Sequence, residues 1–138
     1  MATFNKFNSF VEALSEKVHN LGADTLTVAL TASANAPVAT NTQLSNLTQI
    51  SYTNLSSRVL TTSSSSQTSG TYKLVIADLT LTASGGSVAP FRYVVIYNDT
   101  ATNDELIGWF DYGSDLTLAN GESLTLDFDA TNGLLQLA

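Results

Sequence analysis

Residues 90–138, PFRYVVIYNDTATNDELIGWFDYGSDLTLANGESLTLDFDATNGLLQLA, give the strongest indication of the fold. Short apolar runs alternate with turn residues, a pattern typical of consecutive strands. Asn120-Gly121 and Asn132-Gly133 each lie between two such runs, and each pair predicts a tight hairpin because Asn-Gly tolerates positive φ at both central turn positions. From Tyr93 onward this segment has eight carboxylates and no Lys, Arg, His or Cys. It is suited to forming sheet and poorly equipped for catalysis.

Further strands are predicted by apolar periodicity. Asp24–Thr31 alternates apolar residues with threonine, which indicates a half-buried strand. Thr71–Thr82 is a long strand whose apolar parity changes near Ala77–Asp78, so a β-bulge is expected there. Phe91–Tyr97 is apolar on both faces apart from Arg92, and we expect it to lie centrally or beneath a second layer. Other strands are expected at Arg58–Thr62, Glu105–Phe110, Asp115–Ala119, Glu122–Phe128 and Leu134–Leu137.

The N-terminal region predicts one helix of about three turns. Ser9 and Glu12 fit a capping box, Gly22 can cap the other end, and apolar residues recur at helical spacing at Val11, Leu14, Val18 and Leu21. Phe4, Phe7 and Phe10 precede or open this helix. They are either core anchors or a docking arm that contacts another subunit.

Four segments lack a long apolar pattern. Asn35–Thr42 is a predicted loop, and Leu44, Leu47 and Ile50 can form one helical turn. Thr61–Gly70 (TTSSSSQTSG) is low in complexity and too polar to pack, so it predicts a flexible surface loop. Ser84–Ser87 (SGGS) predicts a turn.

One helix and about eight strands without intervening helices favour an antiparallel β-sandwich, jelly-roll-like, over any parallel architecture. A chain of 138 residues is most simply one domain. It would comprise an N-terminal arm and helix at residues 1–22 and the β-sandwich at residues 24–138.

Composition argues against several function classes. The net charge of −7 repels phosphate backbones, and the five basic residues are scattered, so no nucleic-acid partner is expected. The absence of Cys and the single His remove thiol chemistry and the usual zinc sets. The N-terminus lacks the apolar run of a secretion signal, and no transmembrane run occurs. We therefore expect synthesis in the cytoplasm and no membrane partner.

Candidate chemical groups have simpler structural interpretations. His19 is expected to be a surface residue that complements the negative end of the helix dipole. Asp127 and Asp129 share one strand face and, with Asp99, Asp104, Asp111 and Asp115, could supply oxygen ligands for calcium. Their spacing matches no calcium loop, so solvated carboxylates are favoured and no metal or cofactor is predicted. A carboxylate pair for glycoside hydrolysis would need a cleft that nothing in the sequence indicates.

Trp109, Phe110 and Tyr112 form an aromatic cluster between two glycines. Such a cluster could stack on sugars, but aromatic residues also fill sandwich cores, which is the favoured interpretation. The chain has no phosphate-binding loop, dinucleotide fingerprint, nucleophile elbow or metalloprotease motif. The sequence therefore predicts a protein that is not an enzyme and works through its surface.

Several segments together resemble a family of small virion structural proteins of tailed bacteriophages, encoded beside the major capsid gene. The resemblance spans roughly residues 24–138, and its most specific combination is PFRYVVIYNDT, LIGWFDYGS and LTLDFDATNG. The segments are Val28–Thr42, Leu74–Pro90, Phe91–Thr100, Leu106–Gly113 and Leu126–Gly133.

This resemblance implies a capsid cement (decoration) protein with a jelly-roll-like fold. Such a protein would bind the assembled shell of major capsid protein on the outer surface of the virion, as a dimer or trimer, and stabilise it against the pressure of the packaged DNA. Phe4, Phe7 and Phe10 are the predicted subunit or capsid contacts. The alternative is a carbohydrate- or receptor-binding module of a tail or head fibre, using Trp109 and the acidic loops.

Overall fold

The computed structural model describes residues 2–138, which form a mainly β structure with one short helix. No helix in this range has the length and apolar character needed to cross a membrane. Two 3₁₀ turns, Ser33–Asn35 and Leu44–Asn46, supplement the regular elements. In chain order these are β1 Asn5–Lys6, α1 Ser9–Ser15, β2 Leu26–Thr31, β3 Thr62–Thr68, β4 Thr71–Ile76, β5 Leu79–Thr82, β6 Phe91–Asn98, β7 Leu106–Leu116, β8 Ser123–Leu126 and β9 Leu135–Leu137.

All strand pairs are antiparallel, and they form three sheets in the orders β1-β7-β6-β2, β3-β4-β9 and β5-β8. The four-stranded sheet packs against the two smaller sheets over one apolar core, which confirms the predicted antiparallel β-sandwich. The strand order does not establish the jelly-roll connectivity. Core side chains from all three sheets include Val28, Leu30, Leu74, Ile76, Leu81, Val94 and Ile96.

Strand β6 occupies the centre of the larger sheet, between β7 and β2, as its two apolar faces predict. One face contributes to the main core, and the other belongs to a second cluster formed by Phe7, Ala29, Val95, Tyr97 and Leu106. Phe7 of the N-terminal arm covers this second face, with Leu44 and Leu47 packed against the cluster. The arm is therefore a structural layer of the fold.

Strand β2 was expected to be half-buried, and this prediction is wrong. All six of its residues are buried, including Thr27 and Thr31. The threonine-bearing face is the one that the arm covers, so a pattern typical of one solvated face instead lies between two layers. Thr27 retains a polar partner because its hydroxyl donates to an Asp99 carboxylate oxygen at 3.3 Å.

Helix α1 is shorter than predicted, with seven residues. The expected capping box is absent: Ser9 is the first helical residue, and the N-cap Asn8 makes no side-chain capping bond. Lys17 takes a positive φ of 67°, and the chain reverses there. The helix therefore ends before it reaches Gly22, its predicted C-terminal cap. Beyond this reversal, His19 and Leu21 lie in the interior.

The serine-rich segment forms strand β3, so the predicted flexible loop at Thr61–Gly70 is wrong. Ser64–Thr68 pair with β4 in continuous register, and Ser69 and Gly70 have φ values of 52° and 84°. Two consecutive positive φ values are the geometry of a type I′ hairpin turn. The side chains remain exposed, as their polarity requires, but a strand needs only a backbone partner and not a buried face.

The predicted bulge near Ala77–Asp78 is instead a break between two sheets. Strand β4 pairs with β3 and β9, whereas β5 pairs with β8. Asp78 anchors the crossing because its Oδ1 accepts a hydrogen bond from the Phe128 backbone N–H at 2.9 Å. The change of apolar parity in the sequence therefore marks the point at which the chain moves from one sheet to the next.

Both Asn-Gly pairs form turns but neither closes a hairpin between its flanking runs. Gly121 and Gly133 have positive φ values of 88° and 78°, yet β8 pairs with β5 and β9 pairs with β4. The predicted strand at Asp115–Ala119 is also wrong. Asp115 and Leu116 are the last residues of β7, and no further strand lies between them and β8. The predicted strand at Arg58–Thr62 is reduced to an isolated bridge between Val59 and Thr27 before β3 begins.

Amide hydrogen exchange distinguishes the serine-rich strand from a flexible loop. Because β3 pairs with β4 along one edge, we expect about half of the amides from Thr62 to Thr68, at alternate positions, to exchange more slowly than in the denatured chain. Uniform exchange of all these amides at the denatured-chain rate would contradict the hairpin.

Candidate docking groove

An apolar groove of about 530 Å³ lies on the side of the sandwich where β8 of a small sheet faces β7 of the large sheet. Among residues 2–138, β8 pairs with β5 alone, and β1 covers the outer edge of β7 only at Gly108 and Trp109. The two sheets are thus open along this side. The apolar lining includes Phe4, Phe110, Tyr112, Leu126, Phe128 and Leu134.

Aromatic rings pack against one another along the groove. The ring centroid of Phe110 lies 5.5 Å from that of Phe4 and 6.2 Å from that of Phe128, both in tilted arrangements. Such tilted pairs are favourable beyond their buried area. Gly108 makes the arrangement possible, because a β-carbon at this position would overlap the Phe4 ring and lie 2.7 Å from the Asn5 carbonyl oxygen.

The rim of the groove is acidic. Asp127 and Asp129 line it, and no Lys, Arg or His is among its described lining residues. Hydrogen bonds from the backbone and side chain of Asn132 lower the pKa of Asp129, so its carboxylate stays charged at neutral pH. Nearby Asp111 is neutralised by Arg92, whose Nε and Nη2 donate to it at 2.8 and 3.0 Å.

The six aspartates considered as calcium ligands do not come together. Within residues 2–138, no group of three or more His, Asp or Glu side chains is placed to hold a metal ion. Asp111 is paired with Arg92, Asp115 accepts the Ser33 backbone N–H at 3.0 Å, and Asp129 accepts the Thr131 and Asn132 backbone N–H groups, both at 2.8 Å. These side chains cap loops and strands.

The three N-terminal phenylalanines have different environments. Phe7 and Phe10 are 0% and 2% exposed, so in this conformation they are core residues of the chain itself. Phe4 is partly exposed and lies in the groove. Of the three proposed contacts, Phe4 therefore has surface to offer a partner.

The aromatic cluster at residues 109–112 divides between the two faces of β7. Trp109 packs on Phe7, with ring centroids 4.6 Å apart, and Phe110 packs in the main core region. Tyr112 is 53% exposed and lines the groove. Trp109 and Phe110 thus match the favoured core interpretation, whereas Tyr112 is a surface residue.

His19 was expected on the surface, but it is 4% exposed. Its Nδ1 accepts a hydrogen bond from the Asn98 side-chain amide at 3.0 Å, and the same amide nitrogen donates to Asp24. The amide orientation is fixed because Asn98 Oδ1 accepts the backbone N–H groups of Thr100 and Ala101. His19 Nδ1 must therefore be unprotonated, which makes the neutral ring the form that fits.

The proton of neutral His19 then resides on Nε2, which is buried without a hydrogen-bond partner in the described part of the chain. Burial lowers the pKa of His19, while the charges of Glu105 and Asp24 act in the opposite direction. The ring also packs on Phe10, with centroids 5.4 Å apart. His19 thus joins the N-terminal region to the end of β6 as a structural residue.

Two features that create the groove were not predicted from the sequence: the uncovered edge of β8 and the close approach of the N-terminal arm at Gly108. The alternation in SLTLDFD indicates a strand, but which edge of that strand stays uncovered depends on residues far away in the chain. The glycine before Trp109 was the available signal for a close approach by another segment.

Comparisons with known proteins give no relative. A scan of family models matches no family, and searches of curated proteins and of solved structures find no significant match.

Gly108→Ala tests the contact between the arm and β7. We expect it to lower the free energy of unfolding by about 1–3 kcal/mol, because the added methyl group overlaps Phe4 and the Asn5 carbonyl. Chemical denaturation would measure this loss. In a Phe4→Ala background the same substitution should cost less, since one of the two overlaps is gone. Equal costs in both backgrounds would show that the Phe4 ring does not lie over Gly108.

His19 should make stability fall as the pH drops below about 7. Its pKa is lower in the folded than in the unfolded chain, where the ordinary value is about 6.5. The unfolded chain therefore binds a proton first as the pH drops, and the stability present above pH 6.5 is progressively lost. Denaturation at several pH values would show this decline. In His19→Gln, which keeps an acceptor for Asn98 but does not titrate, the decline should be absent; an identical decline would assign it to another group.

Proposed function

We propose that this protein is a capsid cement (decoration) protein of a tailed bacteriophage. It binds the assembled major capsid protein on the outer surface of the virion, as a dimer or trimer, and stabilises the shell against internal DNA pressure. The proposal combines the sequence resemblance with a surface built for contact with other polypeptides.

The observation that carries the proposal is where the resembling segments lie. PFRYVVIYNDT contributes Phe91 and Val94, and LTLDFDATNG contributes Phe128, all buried at the floor of the groove, while LIGWFDYG contributes Phe110 and the exposed Tyr112. Segments distant in sequence thus converge on one apolar, open-edged surface. This convergence supports a role in which that surface binds a protein partner.

The remaining surface suits extensive contact with a protein lattice. Charged residues make up 12% of the chain, about half the usual share, and hydroxyl and amide side chains take their place. Their desolvation costs less than that of charges. A cement protein that touches several capsid subunits at once gains avidity from each contact. Because it binds the assembled lattice and not the separate subunits, its binding stabilises the assembled state.

The alternative of a carbohydrate-binding module receives less support. Trp109, its main candidate, is partly buried against Phe7, which leaves Tyr112 as the exposed ring available for stacking. The acidic loops supply no grouped metal ligands among residues 2–138. No observation specific to sugars favours this function.

Reconstitution of phage heads tests the cement function. Heads that lack this protein should release their DNA at a lower temperature, and on milder osmotic shock, than heads to which the purified protein has been added back. DNA release can be followed by dye fluorescence during heating, and bound protein by cryo-electron microscopy. Absence of the protein from DNA-filled heads, or identical release with and without it, would refute the function.

A further inference from the structure

The groove runs along the backbone edge of β8. The last three residues of β8 and the three residues that follow it, Leu124–Asp129, all line the groove. Because alternate side chains of a strand point to opposite faces, a groove that touches every residue in turn must follow the strand edge. On the opposite wall, β7 contributes Phe110 and Tyr112, whose side chains share one face.

The hydrogen-bond parity of β8 shows which backbone groups face the groove. The Ala83 N–H donates to the Glu122 carbonyl at 2.9 Å, in line with the register that pairs Leu81 with Leu124 and Thr80 with Thr125. Bonded and non-bonded pairs alternate in an antiparallel ladder. Thr125 is therefore in a non-bonded pair, and its N–H and C=O point outward, away from β5.

The side chains of β8 and of the two residues after it define the chemistry that a neighbouring strand would meet. Leu124, Leu126 and Phe128 face the core, whereas Thr125 and Asp127 are exposed. Cross-strand neighbours on one face interact directly. A strand laid beside β8 would thus place apolar side chains next to the leucines and hydroxyl or basic side chains next to Thr125 and the acidic rim.

We propose that the groove binds an extended segment of a partner polypeptide, in which apolar residues alternate with Lys, Arg or hydroxyl residues, as an added strand on the outer edge of β8. This inference deepens the proposed function, on which the identity of the partner as capsid protein rests. The acidic rim favours this partner over a second copy of the chain. Two copies, each with a net charge of −7, would bring Asp127 and Asp129 of both molecules close together, and these like charges would repel.

Thr125→Pro is the decisive variant, with Thr125→Ala as its matched control. Both substitutions remove the hydroxyl contact with Thr80, 3.2 Å away. Proline in addition removes the outward N–H, which no β5 residue uses, so the sheet itself should persist. Thermal unfolding of both variants establishes that each is folded before binding is measured.

A synthetic peptide of alternating valine and lysine, roughly nine residues long, serves as the probe. NMR titration should shift the resonances of Leu124–Asp129 in wild type and in Thr125→Ala, and Thr125→Pro should weaken binding about five- to tenfold. A peptide of alternating valine and glutamate should bind more weakly than the lysine peptide. Equal binding to the proline and alanine variants, or no binding at about 1 mM peptide, would overturn strand addition.

Phage heads lacking this protein separate the two proposals. If wild type and Thr125→Ala bind heads and Thr125→Pro binds at least about fivefold more weakly, the capsid partner uses the β8 edge. If all three bind equally, the strand-addition proposal fails while the cement function stands. If none binds heads but the peptide result holds, the cement function fails and strand addition stands. A dimer in sedimentation that Thr125→Pro dissociates would identify a second copy as the occupant and overturn the proposed partner.

Discussion

Strand β6 must be buried on both faces, and the rest of the structure follows from that requirement. Phe91, Val94 and Ile96 face the main core, while Val95 and Tyr97 face the second cluster. Each large apolar side chain that leaves water stabilises the fold by about 1.5–3 kcal/mol. The two small sheets cover one face. The other is covered by the N-terminal arm through Phe7, so the arm is needed for the core.

The arm is held in place by two contacts near the same end of the large sheet, where β6 ends and β7 begins. Close to the start of β7, Gly108 leaves room for the Phe4 ring and the Asn5 carbonyl to approach the strand. At the end of β6, Asn98 binds His19 and Asp24 with one amide group. The contact at Gly108 is a steric constraint, and the contact at Asn98 is a pair of hydrogen bonds. They determine where the arm lies, while the apolar contacts supply most of the stabilisation.

The groove is a consequence of how short β1 is. Two residues of β1 pair with β7, and within the described chain no strand covers the outer edge of β8. Uncovered strand edges are prone to unwanted pairing, and proteins commonly protect them with charge. Asp127 and Asp129 provide that charge here. The same carboxylates that discourage self-association would favour a basic partner, so protection and selectivity can come from one feature.

Sequence alone predicted the local part of the structure: a β-rich chain, the central position of β6, chain reversals at Gly121 and Gly133, a bend at Gly85 and a helix near residue 10. These depend on side-chain periodicity and on backbone preferences within a few residues. The pairing of strands depended on tertiary structure, because the ladder of β3 with β4, the exchange of sheets at Ala77–Asp78 and the partners of β8 and β9 are set by backbone groups whose neighbours are distant in the chain.

The candidate site divides in the same way. Its apolar and acidic residues are visible in LTLDFD and GWFDY, but the groove exists only where the two sheets fail to close. Local pattern predicts His19 at a helix end, whereas the chain reversal at Lys17 and a hydrogen bond from the Asn98 side-chain amide to its Nδ1 hold it inside. Local sequence pattern determines which helices and strands can form. Which of their faces and edges remain uncovered is decided by tertiary packing, because the residues that could cover them come from distant parts of the chain.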